Sequence, residues 1–90
     1  MNSISIIVKG KVQGVFYRQS AKEKATALGI TGHIKNQPDG CVYIIATGDA
    51  VQLNIFIEWC KKGPSRAIVT TTETHYEPLQ NFNTFNIIRH

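Results

Sequence analysis

Residues 4–30, ISIIVKGKVQGVFYRQSAKEKATALGI, change their hydrophobic period once, and that change sets the fold. Ile4, Ile6 and Val8 alternate with Ser5, Ile7 and Lys9, the pattern of a half-buried strand, and Gly10 closes it. From Tyr17 to Leu28 the apolar positions Tyr17, Ala21, Ala25 and Leu28 recur at helical spacing instead, and Gly29 ends the run. Between the two lies a nine-residue stretch, Gly10-Lys11-Val12-Gln13-Gly14-Val15-Phe16-Tyr17-Arg18, that turns a strand into a helix.

The rest of the chain repeats this alternation. Gly32 to Asn36 reads as a second strand, Gln37-Pro38-Asp39-Gly40 as a turn, and Cys41 to Thr47 as a third strand. Asp49 with Gln52 predicts a capping box, and Leu53, Phe56, Ile57 and Cys60 form the apolar stripe of a second helix that ends at Gly63-Pro64. Ala67 to Thr72 predicts a fourth strand, Glu77-Pro78 a polar loop, and Phe82 to Ile88 a last strand. The order βαββαβ with a terminal strand implies an α+β, ferredoxin-like sandwich. Both helices pack on one face of an antiparallel or mixed sheet of four to five strands. At 90 residues, the chain is expected to be a single domain spanning 1–90.

Composition narrows the classes. An apolar fraction of 42% with 18% charged residues excludes a disordered chain. The run Ile4 to Val8 is too short to span a bilayer and is not framed as a secretory signal. Cys41 and Cys60 are too few for a disulfide scaffold or a four-cysteine zinc site, and both are expected to be free thiols on opposite sides of the sheet. A cytoplasmic protein without membrane partner follows. The net charge is +4, and Lys9, Lys11, Arg18, Lys22, Lys24 and Lys35 face only Glu23 in the first 35 residues. Such a basic half suits an anionic partner, a nucleic acid or a small phosphorylated ligand.

The strand-to-helix stretch offers the chemistry. Gly10 and Gly14 permit the left-handed backbone that turns successive amides inward as an anion-binding nest, with the positive helix end behind them. Arg18 adds a planar donor fork suited to phosphate oxygens. The spacing is not that of a Walker A loop. A structural turn with a surface arginine would satisfy the same spacing. Taken alone, Asn36 before Pro38-Asp39-Gly40 is ordinary turn chemistry.

Taken together, Gly10-x-Val12-Gln13-Gly14-Val15-x-Tyr17-Arg18 and Gly32-x-x-Lys35-Asn36-x-x-x-Gly40-x-Val42 with Gly48 resemble the two signatures of the acylphosphatases. Trp59 with Gly63-Pro64 and Ala67-x-Val69 is a fainter likeness, and Phe85-Asn86-Ile87 resembles the family's closing strand. His33 stands where the family usually has an aromatic, and Ile34 where a smaller residue is commoner. The resemblance implies metal-independent hydrolysis of the carboxyl–phosphate bond of a small acyl phosphate, without cofactor, giving carboxylate and inorganic phosphate. The phosphate, whether substrate, product or inhibitor, would lie on the amides of Gly14, Val15, Phe16, Tyr17 and Arg18. Gly10 and Gln13 would shape the loop. Arg18 and Asn36 would be the catalytic pair, Asn36 positioning the attacking water and a substrate phosphate oxygen taking its proton.

Other groups fare less well on pattern. His33 is three residues from Asn36 and faces away from it if the strand is regular, and His75 and His90 have no partner spacing. An RNA-recognition module on the same fold would need aromatics on its central strands, yet Ile4 to Lys9 has none and the third strand only Tyr43. No nucleic-acid partner is therefore expected. The acylphosphatase-like segment of hydrogenase-maturation proteins shows an accessory use of the fold. With nothing appended after His90, a free-standing monomeric enzyme is the expectation.

Overall fold

The computed structural model describes residues 1–89. Its elements are β1 (Asn2–Lys11), α1 (Tyr17–Ala27), β2 (Thr31–Asn36), β3 (Val42–Gly48), α2 (Ala50–Lys62), β4 (Ile68–Glu77) and β5 (Phe85–Ile88). The five strands form one sheet in the order β4-β1-β3-β2-β5. β1 pairs antiparallel with β3 and β4, β2 antiparallel with β3, and β5 parallel with β2. The sheet is mixed and the arrangement ferredoxin-like.

Strand parity builds the core. Ile4, Ile6 and Val8 sit opposite Ala46, Ile44 and Val42, and Ile34 sits opposite Ile44 from the other side. These rows are buried under Tyr17, Ala21 and Ala25 of α1 and Leu53, Phe56 and Cys60 of α2. Each large aliphatic side chain so buried contributes about 1.5–3 kcal/mol relative to exposure. Phe85 completes the layer, edge-on to Phe56 at 6.0 Å between ring centroids. On the other face, Ser3 and Thr47 hydroxyls are 2.6 Å apart, Thr47 donates to the Gln80 carbonyl, and the Gln80 amide donates to Ser3. Two buried hydroxyls are thereby satisfied by the segment after β4, as burial of polar groups requires.

Several boundaries differ from the sequence expectation. β4 does not stop at Thr72 but runs to Glu77, because β1 offers it a partner along its whole length, from Lys11↔Ile68 to Ser3↔Glu77. Its polar residues suit an edge strand. β5 begins at Phe85, not Phe82, and β1 continues through Gly10 to Lys11. The Asp49–Gln52 capping box does not form: Asp49 occupies the N-cap position, yet its exposed carboxylate makes no cap hydrogen bond. Both cysteines are buried and free.

Candidate active site

The strand-to-helix loop, residues 12–16, is pinned at two buried valines, Val12 and Val15, while Gly14 and Phe16 stay exposed. Gly14 has φ 72°, and Phe16 is left-handed at φ 63°, ψ 21°. Alternating a left-handed residue with ordinary ones turns consecutive amides toward one side, the geometry of an anion nest. Gly10 also has a positive φ, 128°, as the sequence suggested, and Phe16 is a further positive-φ residue that the sequence did not suggest. Gly10 lies inside β1 at a register shift between Lys9 and Gly10, and a Cβ there would collide with the Ile68 carbonyl oxygen. It shapes the contact with β4, one residue before the end of the strand that leads into the loop.

Gln13 does tie the loop down. Its Nε2 donates to the carbonyls of Gln37 and Cys41, both at 2.9 Å. Those carbonyls flank the turn between β2 and β3, so one side chain fixes the loop against the turn that follows Asn36.

Arg18 sits in the first turn of α1, and its Nη1 lies 3.5 Å from the Ile88 carbonyl. Asn36 closes β2 in the same parity as Ile34, on the helix-covered side of the sheet. Its Oδ1 is buried and has no hydrogen-bond partner among the described residues. A buried acceptor left open is costly unless a ligand or water uses it. Gly14, Phe16, Arg18, Asn36 and Arg89 line one cavity of about 430 Å3. Val15 is not part of that lining, and Tyr17 contributes to it while its hydroxyl points to the Cys60 carbonyl.

Arg89 was not anticipated. Parallel pairing sets Lys35 against Ile88, so the next residues, Asn36 and Arg89, leave the sheet side by side. Continuing the parity of Phe85 and Ile87 by one step would have found it. The cavity therefore carries two guanidinium groups and no carboxylate among its described lining residues.

The remaining titratable groups lie elsewhere. His33 faces the opposite side of the sheet from Asn36 and stacks edge-on against Phe82 at 5.7 Å. Burial, reinforced by Lys35, holds its pKa below the usual imidazole value. His75 pairs with Ser5 on β4, and His90 lies outside the described residues. Burial pushes the Cys60 thiol up to about 12, which leaves it a poor nucleophile. Among the described residues no three His, Cys, Asp or Glu side chains cluster as metal ligands would.

A family model for acylphosphatase matches residues 4–87. A curated acylphosphatase from Marinobacter nauticus is 45% identical over 86 residues, covering 94% of this chain and 94% of its own. The crystal structure of acylphosphatase from Bacillus subtilis superposes with a TM-score of 0.96 at 33% identity, over 99% of this chain and all of that one. An acylphosphatase structure from Coxiella burnetii gives 0.94 at 34% identity, over 97% and 92% of the two chains.

Proposed function

The chain belongs to the acylphosphatase family, and from that premise we propose how its own residues hydrolyse the carboxyl–phosphate bond of an acyl phosphate. The observation that carries the reading is one cavity shared by a left-handed amide loop, Arg18 and the open acceptor of Asn36.

The phosphoryl group rests on the amides of residues 14–18 and on the Arg18 guanidinium, with the positive end of α1 behind it. A water hydrogen-bonded to the Asn36 amide attacks phosphorus in line. The bond from phosphorus to the acyl oxygen breaks, and its electron pair leaves on the carboxylate. That leaving group has a conjugate-acid pKa of about 4, so it departs without a general acid. Asn36 orients the water but cannot take its proton, which passes to a phosphoryl oxygen of the substrate. The loose transition state spreads charge over the equatorial oxygens, and preorganised amides and Arg18 stabilise it there. Every role in this scheme is filled by an amide, a guanidinium or the substrate itself, so the reaction needs no metal.

The same reading makes residues 1–90 one catalytic domain that works as a cytoplasmic monomer on a small soluble substrate. In its support, no described helix is long and apolar enough to cross a membrane. Purified protein should hydrolyse benzoyl phosphate at the same rate with and without EDTA and leave a phosphate monoester untouched. Loss of activity in EDTA with recovery on adding magnesium would refute the metal-free scheme.

A further inference from the structure

We propose that Trp59, Gly63 and Pro64, at the end of α2, form a seat that holds Tyr17 and through it positions Arg18 for phosphoryl transfer, a refinement that rests on the function proposed above. The start of α1 is not held by its own sequence. Phe16 occupies the N-cap position with no side-chain cap hydrogen bond, and the first turn carries no acidic residue. A serine or aspartate cap would occupy amides that the proposed scheme keeps for the phosphoryl group. Leaving the cap out keeps those donors open, but a helix end without one frays unless something else fixes it.

Tyr17, the first residue of α1, is fixed from α2 in three ways. Its hydroxyl donates to the Cys60 carbonyl at 2.7 Å, which Pro64 leaves open. Its ring lies 5.4 Å from that of Trp59, which is itself stacked on Phe56. Gly63 closes the contact. Its backbone, at φ 70° and ψ −171°, is one that only glycine adopts freely, and a Cβ there would stand 2.7 Å from the Tyr17 ring. Glycine is required at this position both by conformation and by the ring's close approach. Tyr17 is buried, yet it walls the cavity beside Arg18. One peptide unit, about 3.8 Å, separates the two Cα atoms, so a displaced Tyr17 carries the guanidinium and the first-turn amides with it. Trp59, Gly63 and Pro64 are not among the described residues lining the cavity, so their influence on the reaction runs through Tyr17.

The test measures kcat and KM for benzoyl phosphate, and inhibition by inorganic phosphate, in the native protein, Gly63→Ala, Tyr17→Leu and the double variant, with circular dichroism to verify folding. Leu53→Ala, a core truncation in the first turn of α2, controls for lost stability alone. Gly63→Ala should lower kcat about tenfold or more and weaken phosphate inhibition, since misplacement by about 1 Å costs up to a hundredfold. In the double variant the loss should match that of Tyr17→Leu alone, because without the ring the added methyl displaces nothing. Leu53→Ala should keep native kcat. Native kcat in folded Gly63→Ala, losses that multiply in the double variant, or an equal loss in Leu53→Ala overturns the seat. If Gly63→Ala does not fold, Tyr17→Phe decides, since it keeps the ring and loses the tie to Cys60. A fall in kcat of about fivefold is then expected, and kcat within about twofold of native overturns the proposal. A native protein that leaves benzoyl phosphate intact overturns the function on which the seat rests.

Discussion

The Tyr17 hydroxyl donates to the Cys60 carbonyl at 2.7 Å, joining the first residue of α1 to the last turn of α2. That carbonyl would ordinarily accept from the amide four residues on, but the residue there is Pro64, which has no N–H. Tyr17 supplies the missing donor from 43 residues away, and its ring packs on Trp59 at 5.4 Å. Burial, and after it the neighbouring Cys60 thiol, drive the phenol's pKa far above its usual value, so it stays a donor at all working pH. Tyr17→Phe keeps the packing but strands a buried carbonyl. Stability should fall by about 1–3 kcal/mol, read from urea denaturation with an unchanged m-value. A variant as stable as the native protein would show that water reaches Cys60.

Arg18 and Asn36 should separate kinetically. Arg18→Ala removes a charged donor that gains strength in the transition state, so turnover should fall by roughly 10³ to 10⁵ and inhibition by inorganic phosphate should weaken. Asn36→Ala should lower turnover severely while phosphate inhibits nearly as before, because a water-positioning amide has little hold on the bound anion. If Asn36→Ala loses phosphate binding as badly as Arg18→Ala, the two roles have been misassigned. Thermal melts of both variants guard against simple unfolding.

Gln13 touches no substrate in the proposed scheme, yet it fixes the loop to the carbonyls of Gln37 and Cys41. Gln13→Ala releases the loop from the turn after Asn36. Misplacement by about 1 Å can cost up to a hundredfold in rate, so kcat should drop substantially with the fold intact. Native kcat in a folded Gln13→Ala protein would mean that the valine anchors hold the geometry alone.

His33 predicts an acid sensitivity. Its folded pKa lies below the unfolded value of 6.5, chiefly because burial disfavours the imidazolium. The unfolded chain therefore binds the proton more readily, and the stabilisation is complete above about pH 6.5 and is lost as pH falls through the lowered folded value. His33→Phe keeps an aromatic edge against Phe82 and removes the titration. The difference in Tm between pH 7.5 and pH 5 should shrink in that variant, and an unchanged difference would assign the sensitivity to other groups.

Much of the architecture was legible because side-chain period reports burial directly. Ile4, Ile6 and Val8, and Leu53, Phe56 and Cys60, face the core as their spacing predicts. The far half of β4 was not legible, since Glu73, Thr74, His75 and Tyr76 become strand through pairing with β1 rather than through their own propensity. Asp49 shows the converse: a good capping pattern left unformed at an exposed position. In the site, Arg18 and Asn36 stood out through fixed motifs. The left-handed Phe16 carried no signal, because nothing in a phenylalanine announces a positive φ. Arg89 was hidden by its register, which depends on β5 lying parallel to β2.

The strand order also sets a timetable for the chain's birth. β1 is made first but needs β4 along one edge, and Ser5 meets Glu77 only after 72 more residues have been synthesised. β5, which brings Arg89 to the cavity, comes later still. Until both strands have left the ribosome, β1 has a bare edge and the cavity lacks part of its rim. Such long-range pairing makes folding slow for a domain of this size, on the order of milliseconds to seconds. The hydrolase thus becomes competent only once β5 and Arg89 are free to pair beside β2, and a nascent chain whose β4 and β5 are still inside the ribosome should bind phosphate poorly.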